Sequence, residues 1–378
     1  MRSTDLKVLV VPDKFKGTLT AETITEIVGS EWRKQYPQDQ LESIPMSDGG
    51  DGFGPIFGRN LKAASRWTST FDAAHRSIRG EWWLSKNTGT AVIETARFIG
   101  LANLPSGKYH PFNLDTFGLG KVLRDVSSTG VHTCILGIGG SATNDGGFGM
   151  ARALGWTFLD HHGKEIQQWT SLTKLSKIRR PRRIKLFPRT IVAVDVKNPL
   201  LGTEGASRIY GPQKGLKPEN MALAEACLSR LVEVVSENTK RNLAERPGTG
   251  AAGGLGFGLA YFLIAALKPG FDIFSELTSL KERIQKVDLV ITGEGAIDRS
   301  TLMGKCVGQV AALSRKQGKP CYAVTGHLKN RRLSEKHFTR IFCVSPDLTD
   351  IDSAMKRPKS YLRKLARDLL KAAKEDFA

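Results

Sequence analysis

Six short segments combine glycine with acids, amides, hydroxyls or lysines, the groups that handle phosphate. They are 13–17 (DKFKG), 48–52 (DGGDG), 137–147 (GIGGSATNDGG), 195–202 (DVKNPLLG), 248–254 (GTGAAGG) and 293–305 (GEGAIDRSTLMGK). Glycine lets backbone N–H groups approach a phosphate closely. Hydroxyls, amides and lysines add donors, and carboxylates hold magnesium or take a proton. One such segment is ordinarily a tight turn. Six in one chain point to a shared site. Two well-known phosphate-handling motifs do not account for them. Arg299 stands where a Walker A loop requires its first glycine, Cys306 stands where it requires Ser or Thr, and no His-Arg-Asp catalytic loop occurs.

The elements that must carry these segments are legible from periodicity. A β-branched run at 7–12 (KVLVVP) predicts a buried strand that ends at the first segment. Helical spacing follows at 19–32, with Thr20 and Thr23 placed to cap it. Further strands are expected at 41–45, 133–138, 191–196, 287–292, 320–325 and 341–345, and helices at 148–154, 222–235, 255–266 and 307–314. Between 68 and 94, short alternating runs around Trp82, Trp83, Val92 and Ile93 read as antiparallel strands. Strands alternating with helices at both ends imply an α/β fold. Its Rossmann-like parallel sheet domain is expected from both chain ends, 1–70 and 285–378, with a mixed α/β domain inserted at 71–284. Ligands in such folds lie beyond the carboxyl ends of parallel strands, which directs the active site to the cleft between the two domains.

Composition narrows the class. Hydrophobic residues at 40% and charged residues at 25% are a globular balance rather than a disordered one. The polar N-terminus shows no secretory signal and no apolar run is long enough to span a membrane, so the expected location is cytoplasmic. Five cysteines, an odd number in apolar contexts without metal-ligand spacing, read as buried thiols of a reducing compartment. The formal net charge is +19. Part of it lies in 174–189 (KLSKIRRPRRIKLFPR), with eight basic residues and no acid, and part in a basic tail at 356–374 with helical apolar spacing. Such runs are compatible with nucleic-acid binding, but no aromatic stacking motif accompanies them, and a solvated, anion-attracting surface explains them equally. A dinucleotide fingerprint, Gly137, Gly139 and Ala142 with Asp160 downstream, keeps an NAD-dependent dehydrogenase open.

At these segments the chain resembles the class I glycerate kinases. The likeness includes PDKFKGTLTAE (12–22), SDGGDG (47–52), GIGGSATNDGG, DVKNPLLG, GPQKG (211–215), GAAGGLG (250–256), KPG (268–270) and DLVITGEGAIDRSTLMGK (288–305), in the family's order, across about residues 7–325. The resemblance implies a two-domain α/β enzyme that uses ATP and Mg2+ to phosphorylate D-glycerate, with 2-phosphoglycerate as the usual product. A D-glycerate 3-kinase would use the same site. Lys14, Lys197, Val307 and His327 depart from the family pattern, and the basic run 174–189 is not typical of it.

Roles follow from what phosphoryl transfer requires: positioning, charge neutralisation and an acceptor for the hydroxyl proton. Asp195, at the end of an apolar strand, is assigned as general base or hydroxyl-orienting group, although an aspartate there is also compatible with capping a turn. Lys16 is assigned to the transferring phosphate. Gly139, Gly140, Ser141, Thr143 and Asn144 are expected to cradle an anion, either the phosphates or the glycerate carboxylate, with Lys305 and Lys214 as further anion ligands. Asp48, Asp51, Glu294 and Asp298 are the magnesium candidates. Arg97 and His75 are read mainly as structural.

Overall fold

The computed structural model of the chain describes residues 5–47, 49–50, 52–182, 185–239, 242–302 and 305–378. Its strands, in chain order, are β1 (Lys7–Pro12), β2 (Gln40–Ser43), β3 (Ala64–Phe71), β4 (Ser77–Ser85), β5 (Thr90–Glu94), β6 (Thr133–Gly137), β7 (Thr157–Asp160), β8 (Leu175–Arg179), β9 (Arg189–Ala193), β10 (Ala266–Lys268), β11 (Leu289–Ile297), β12 (Cys321–Leu328) and β13 (Arg340–Ser345). The chain divides into two compact units, Met1–Asp48 with Phe274–Ala378, and Gly49–Ile273.

The first unit is a five-stranded parallel sheet in the order β13-β12-β11-β1-β2. Its inner strands β1, β11 and β12 carry continuous apolar runs because a parallel sheet is covered on both faces, whereas the edge strand β2 is mostly polar and has no buried residue. Val8 and Val10 of β1 pack in one cluster with Ile24, Val28 and Trp32 of helix Ala21–Gln35 and Leu362, Leu365 and Leu369 of helix Pro358–Asp376. The terminal helix buries its apolar stripe, so its helical spacing is that of a core helix with a basic outer face. Thr20 caps the first helix by accepting from the Thr23 N–H at 3.2 Å.

The second unit holds a six-stranded mixed sheet, β10-β9-β6-β5-β4-β3. The first four strands are parallel, and β4 and β3 continue antiparallel. The antiparallel strands expected at 68–94 thus join the parallel ones in a single sheet, because β5 pairs with β4 on one side and β6 on the other. Helix Phe53–Asn60 lays Gly54 and Gly58 on the Trp83 ring of β4, which places 49–70 with this unit and moves the boundary from 70/71 to 48/49. At the other boundary, Arg283 pairs with Glu42 of the first unit, and the division falls at 273/274 rather than 284/285.

Three local differences have physical reasons. The strand expected at 191–196 stops at Ala193, and the next N–H, that of Val194, donates to the Lys268 carbonyl. The helix expected at 255–266 runs over Ala251–Phe262 and includes three left-handed residues, Ala252, Gly253 and Gly254. A two-stranded antiparallel sheet, β7 with β8, was not expected, since its strands are too short to show a period. The basic run supplies β8. All five cysteines are buried thiols, and among the described residues no helix is long and apolar enough to cross a membrane.

Candidate active site

In the second unit, two glycine-rich segments lie backbone against backbone. The Gly146 N–H donates to the Gly253 carbonyl at 3.1 Å. Gly253 has φ +69°, and a Cβ there would stand 1.9 Å from the Thr143 oxygen. No side chain fits, so the sequence requires glycine for close approach as well as for the left-handed backbone. Within the loop after β6, the Ser141 and Thr143 hydroxyls lie 2.9 Å apart, and Ser141 Oγ accepts from the Thr143 N–H at 3.2 Å. The Gly139 N–H donates to the Gly49 carbonyl and that of Ala142 to Ile99. The N–H groups of Gly139, Ala142 and Thr143 are therefore committed within the protein, which narrows the expected cradle.

Asp195 lies two residues past β9 and is exposed. Its Oδ1 accepts from the Gly270 N–H at 2.9 Å, at the start of helix Gly270–Thr278. That contact sets a carboxylate oxygen at the positive end of the helix. Gly49, at φ +110°, passes so near that a Cβ would sit 3.0 Å from Asp195 Oδ2 and 3.2 Å from Ala193 Cβ. The strand end, residue 49 and the loop 137–147 thus come together, since the Gly49 carbonyl also binds Gly139.

Lys214 is buried in the short helical turn Pro212–Lys214, and its Nζ donates to the Thr143 carbonyl at 2.6 Å. Burial pushes its pKa down to about 7, opposed by the charge of Asp145. Asn144 is also buried; its Nδ2 donates to Ser207 Oγ at 3.0 Å, and among the described residues its Oδ1 has no hydrogen-bond partner. Asp145 was not anticipated. Its Oδ2 accepts from the Thr116 N–H (2.9 Å), the Thr116 hydroxyl (2.7 Å) and the Gly149 N–H (2.9 Å), and its Oδ1 from the Gly147 N–H (3.2 Å). Burial, with a further push from Asp115, raises its pKa to about 6. Nothing in a TNDGG string distinguishes a buried acid from a ligand-facing one.

Arg97 and His75 are engaged structurally. Arg97 pairs with Glu81 at 3.0 Å and lies over the Trp83 ring, and His75 Nε2 is 3.0 Å from Asp115. Glu94, which the sequence reading passed over, is buried and accepts from the Gly54 N–H at 3.0 Å, holding the start of helix Phe53–Asn60.

In the first unit, the segment after β1 forms a tight turn with the Thr18 N–H donating to the Phe15 carbonyl. Lys16 is exposed at its tip. A Cβ on Gly295 of β11 would lie 3.1 Å from the Lys16 nitrogen, so the acid-bearing strand and the lysine turn are in direct contact. Glu294 Oε1 accepts from the Thr301 hydroxyl at 2.6 Å, and its Oε2 lies 3.9 Å from Lys305 Nζ. Asp298 accepts from the Ser300 N–H at 2.8 Å and lies 3.8 Å from Lys329 Nζ; the Ser300 hydroxyl bond holds its pKa below the usual range. Lys305 and two of the four magnesium candidates thus share one neighbourhood. Asp48 and Asp51 lie outside the described residues. Among the described residues, no three His, Cys, Asp or Glu side chains form a group that could hold a metal ion.

The dinucleotide fingerprint does not survive this geometry. After Gly137 the chain runs through a long loop before helix Phe148–Ala153 begins, and Asp160 belongs to β7, outside the six-stranded sheet. A dinucleotide site needs the helix to start at the glycines.

Acid- and glycine-bearing loops at the carboxyl ends of parallel strands are the construction of an α/β enzyme with a small charged ligand. A family model for the glycerate kinase family matches residues 8–374. A glycerate kinase of Halalkalibacterium halodurans is 35% identical over 369 residues, 96% of this chain and 97% of that protein. A glycerate 2-kinase of Escherichia coli is 33% identical over 371 residues, with 96% and 97% covered. A crystal structure from Salmonella typhimurium LT2, described as a glycerate kinase 2, superposes with a TM-score of 0.86 at 30% identity, covering 99% of each chain. The chain belongs to the glycerate kinase family and is an enzyme of that class.

Proposed function

We propose that this enzyme transfers the terminal phosphoryl group of ATP to the 2-hydroxyl of D-glycerate, giving 2-phosphoglycerate, with Mg2+ as the counter-ion. The observation that carries the reading is Asp195: an exposed carboxylate past a buried strand, oriented by the Gly270 N–H and bordered by the Gly49 backbone. That is an exposed acid oriented by a backbone donor, a placement suited to taking the proton of an acceptor hydroxyl. The loop 139–144 is assigned to an anion of the bound ligands, through groups such as the N–H of Gly140. Lys16 is assigned to the transferring phosphate and Lys305 to a neighbouring anion. Glu294 and Asp298 suit a hard cation, and magnesium is commonly bound by one or two carboxylates plus phosphate oxygens. Bound there, Mg2+ would neutralise charge on the phosphates. The choice of the 2-hydroxyl is supported by the Escherichia coli relative, a glycerate 2-kinase. The test is ADP release measured with and without D-glycerate and Mg2+. Release that needs both supports the reading; release that is equal without glycerate, or equal with unrelated hydroxy acids, refutes it.

A further inference from the structure

Lys214 and Asp145 are a buried cation and a buried acid that the reaction as described does not use. Lys214 has three N–H donors, and one of them goes to the Thr143 carbonyl inside the anion loop. The next residue, Asn144, keeps a buried amide oxygen without a partner among the described residues. Asp145 completes the run and is held by four donors from two elements, Thr116 ahead of helix Phe117–Ser128 and Gly147–Gly149 at the start of helix Phe148–Ala153. A buried cation and acid are costly unless they fix something. Here Lys214 holds the loop at the Thr143 carbonyl, and Asp145 ties the end of the loop to Thr116 and to the start of helix Phe148–Ala153.

We propose that Lys214 and Asp145 are a positioning pair: they hold the loop 139–144 in its anion-binding shape, and the Lys214 charge acts on the bound anion through the Thr143 carbonyl rather than by contact. This rests on the reading of that loop as an anion site. The anion is the carboxylate of glycerate or a phosphate of ATP, and the two are separated by experiment. Burial makes the charged lysine marginal near neutral pH. An anion at the loop favours the charged form, so binding takes up a proton, and affinity falls as pH rises through about 7 toward 8. The charged groups that bear on Lys214 are Asp145 directly, and behind it Asp115 with His75.

The test is the pair of KM values, for D-glycerate and for ATP, across pH in the full-length enzyme and in Lys214→Met, which keeps the bulk and removes the charge. The expected result is a rise of about 10-fold or more in one KM, with the other within about twofold and the alkaline decline of kcat/KM for that ligand abolished. A brace with only a structural role would lower the melting temperature and leave both KM values and the pH profile unchanged, and that result overturns the proposal. Should Lys214→Met fail to fold, the wild-type protein decides. Calorimetric titration with D-glycerate and, separately, with ATP, in buffers of different ionisation enthalpy at pH 7.5, must show proton uptake for one ligand, and uptake by neither overturns it. A wild type without glycerate-dependent ADP release would sink the functional reading instead, and the ATP titration would then still test the pair.

Discussion

The segments 143–146 and 253–258 of Gly49–Ile273 are shaped by backbone packed on backbone, whereas the acids of segment 293–305 in the other unit lie beside lysines that reach solvent. In the former, Thr143, Asn144 and Asp145 are all 0% exposed, and the chain opposite approaches so closely that Gly253 admits no Cβ. In the latter, Glu294 and Asp298 lie beside Lys305 and Lys329, whose side chains are 50% and 61% exposed. Buried polar groups with fixed partners are preorganised and intolerant of change. Exposed ion pairs contribute little to stability and exchange partners readily.

Substitutions should divide along the same line. The largest effect is expected at Asp195. Asp195→Asn keeps the shape and an acceptor for the Gly270 N–H but cannot take a proton, and turnover should fall by about 10²–10⁴ with little change in melting temperature. Recovery on raising magnesium would assign the residue to the metal, and a lower melting temperature with normal turnover would reduce it to a cap. Next comes a paired test of the contrast itself. Gly253→Ala forces a Cβ onto the Thr143 oxygen and should cost about 3 kcal/mol or more, read as a large drop in melting temperature. Gly17→Ala has a similar positive φ but nothing within 4 Å, and should cost only about 1 kcal/mol. Equal losses at the two glycines would erase the distinction between the units. Glu294→Gln should raise the magnesium concentration for half-maximal rate by about tenfold, with kcat recovered at saturation; an unrecovered kcat would mean that the solvated unit is as rigid as the other. The smallest effect is expected from Lys177→Ser, Arg179→Ser and Arg182→Ser together, all exposed on the basic run. Turnover should stay within a few-fold, and a collapse at unchanged folding would bring that run into the site.

Much of this arrangement is legible in the residues, and what is not has identifiable causes. The strands β1, β6, β11, β12 and β13 stand out because buried parallel strands are unbroken apolar runs. The glycine segments stand out because close approach of backbones tolerates no substitute, as at Gly253. The hairpin β7–β8 is hidden because four- and five-residue strands carry too little alternation. Asp145 and Lys214 are hidden for a different reason: charged residues read as exposed, and only the fold reveals that each has been buried against partners distant in sequence, Thr116 and Thr143. Asp195 lies between these cases. Its strand end is legible, but the Gly270 N–H that orients it is 75 residues away.

Phosphorus NMR of the product formed from ATP, Mg2+ and D-glycerate tests the central claim most directly. The account predicts one new phosphomonoester resonance, coupled to the C2 proton of glycerate, growing in step with ADP. A phosphoester coupled to the C3 protons would move the acceptor hydroxyl from C2 to C3, and the absence of any new ester while ATP is consumed would contradict the assignment of this chain as the enzyme that phosphorylates glycerate.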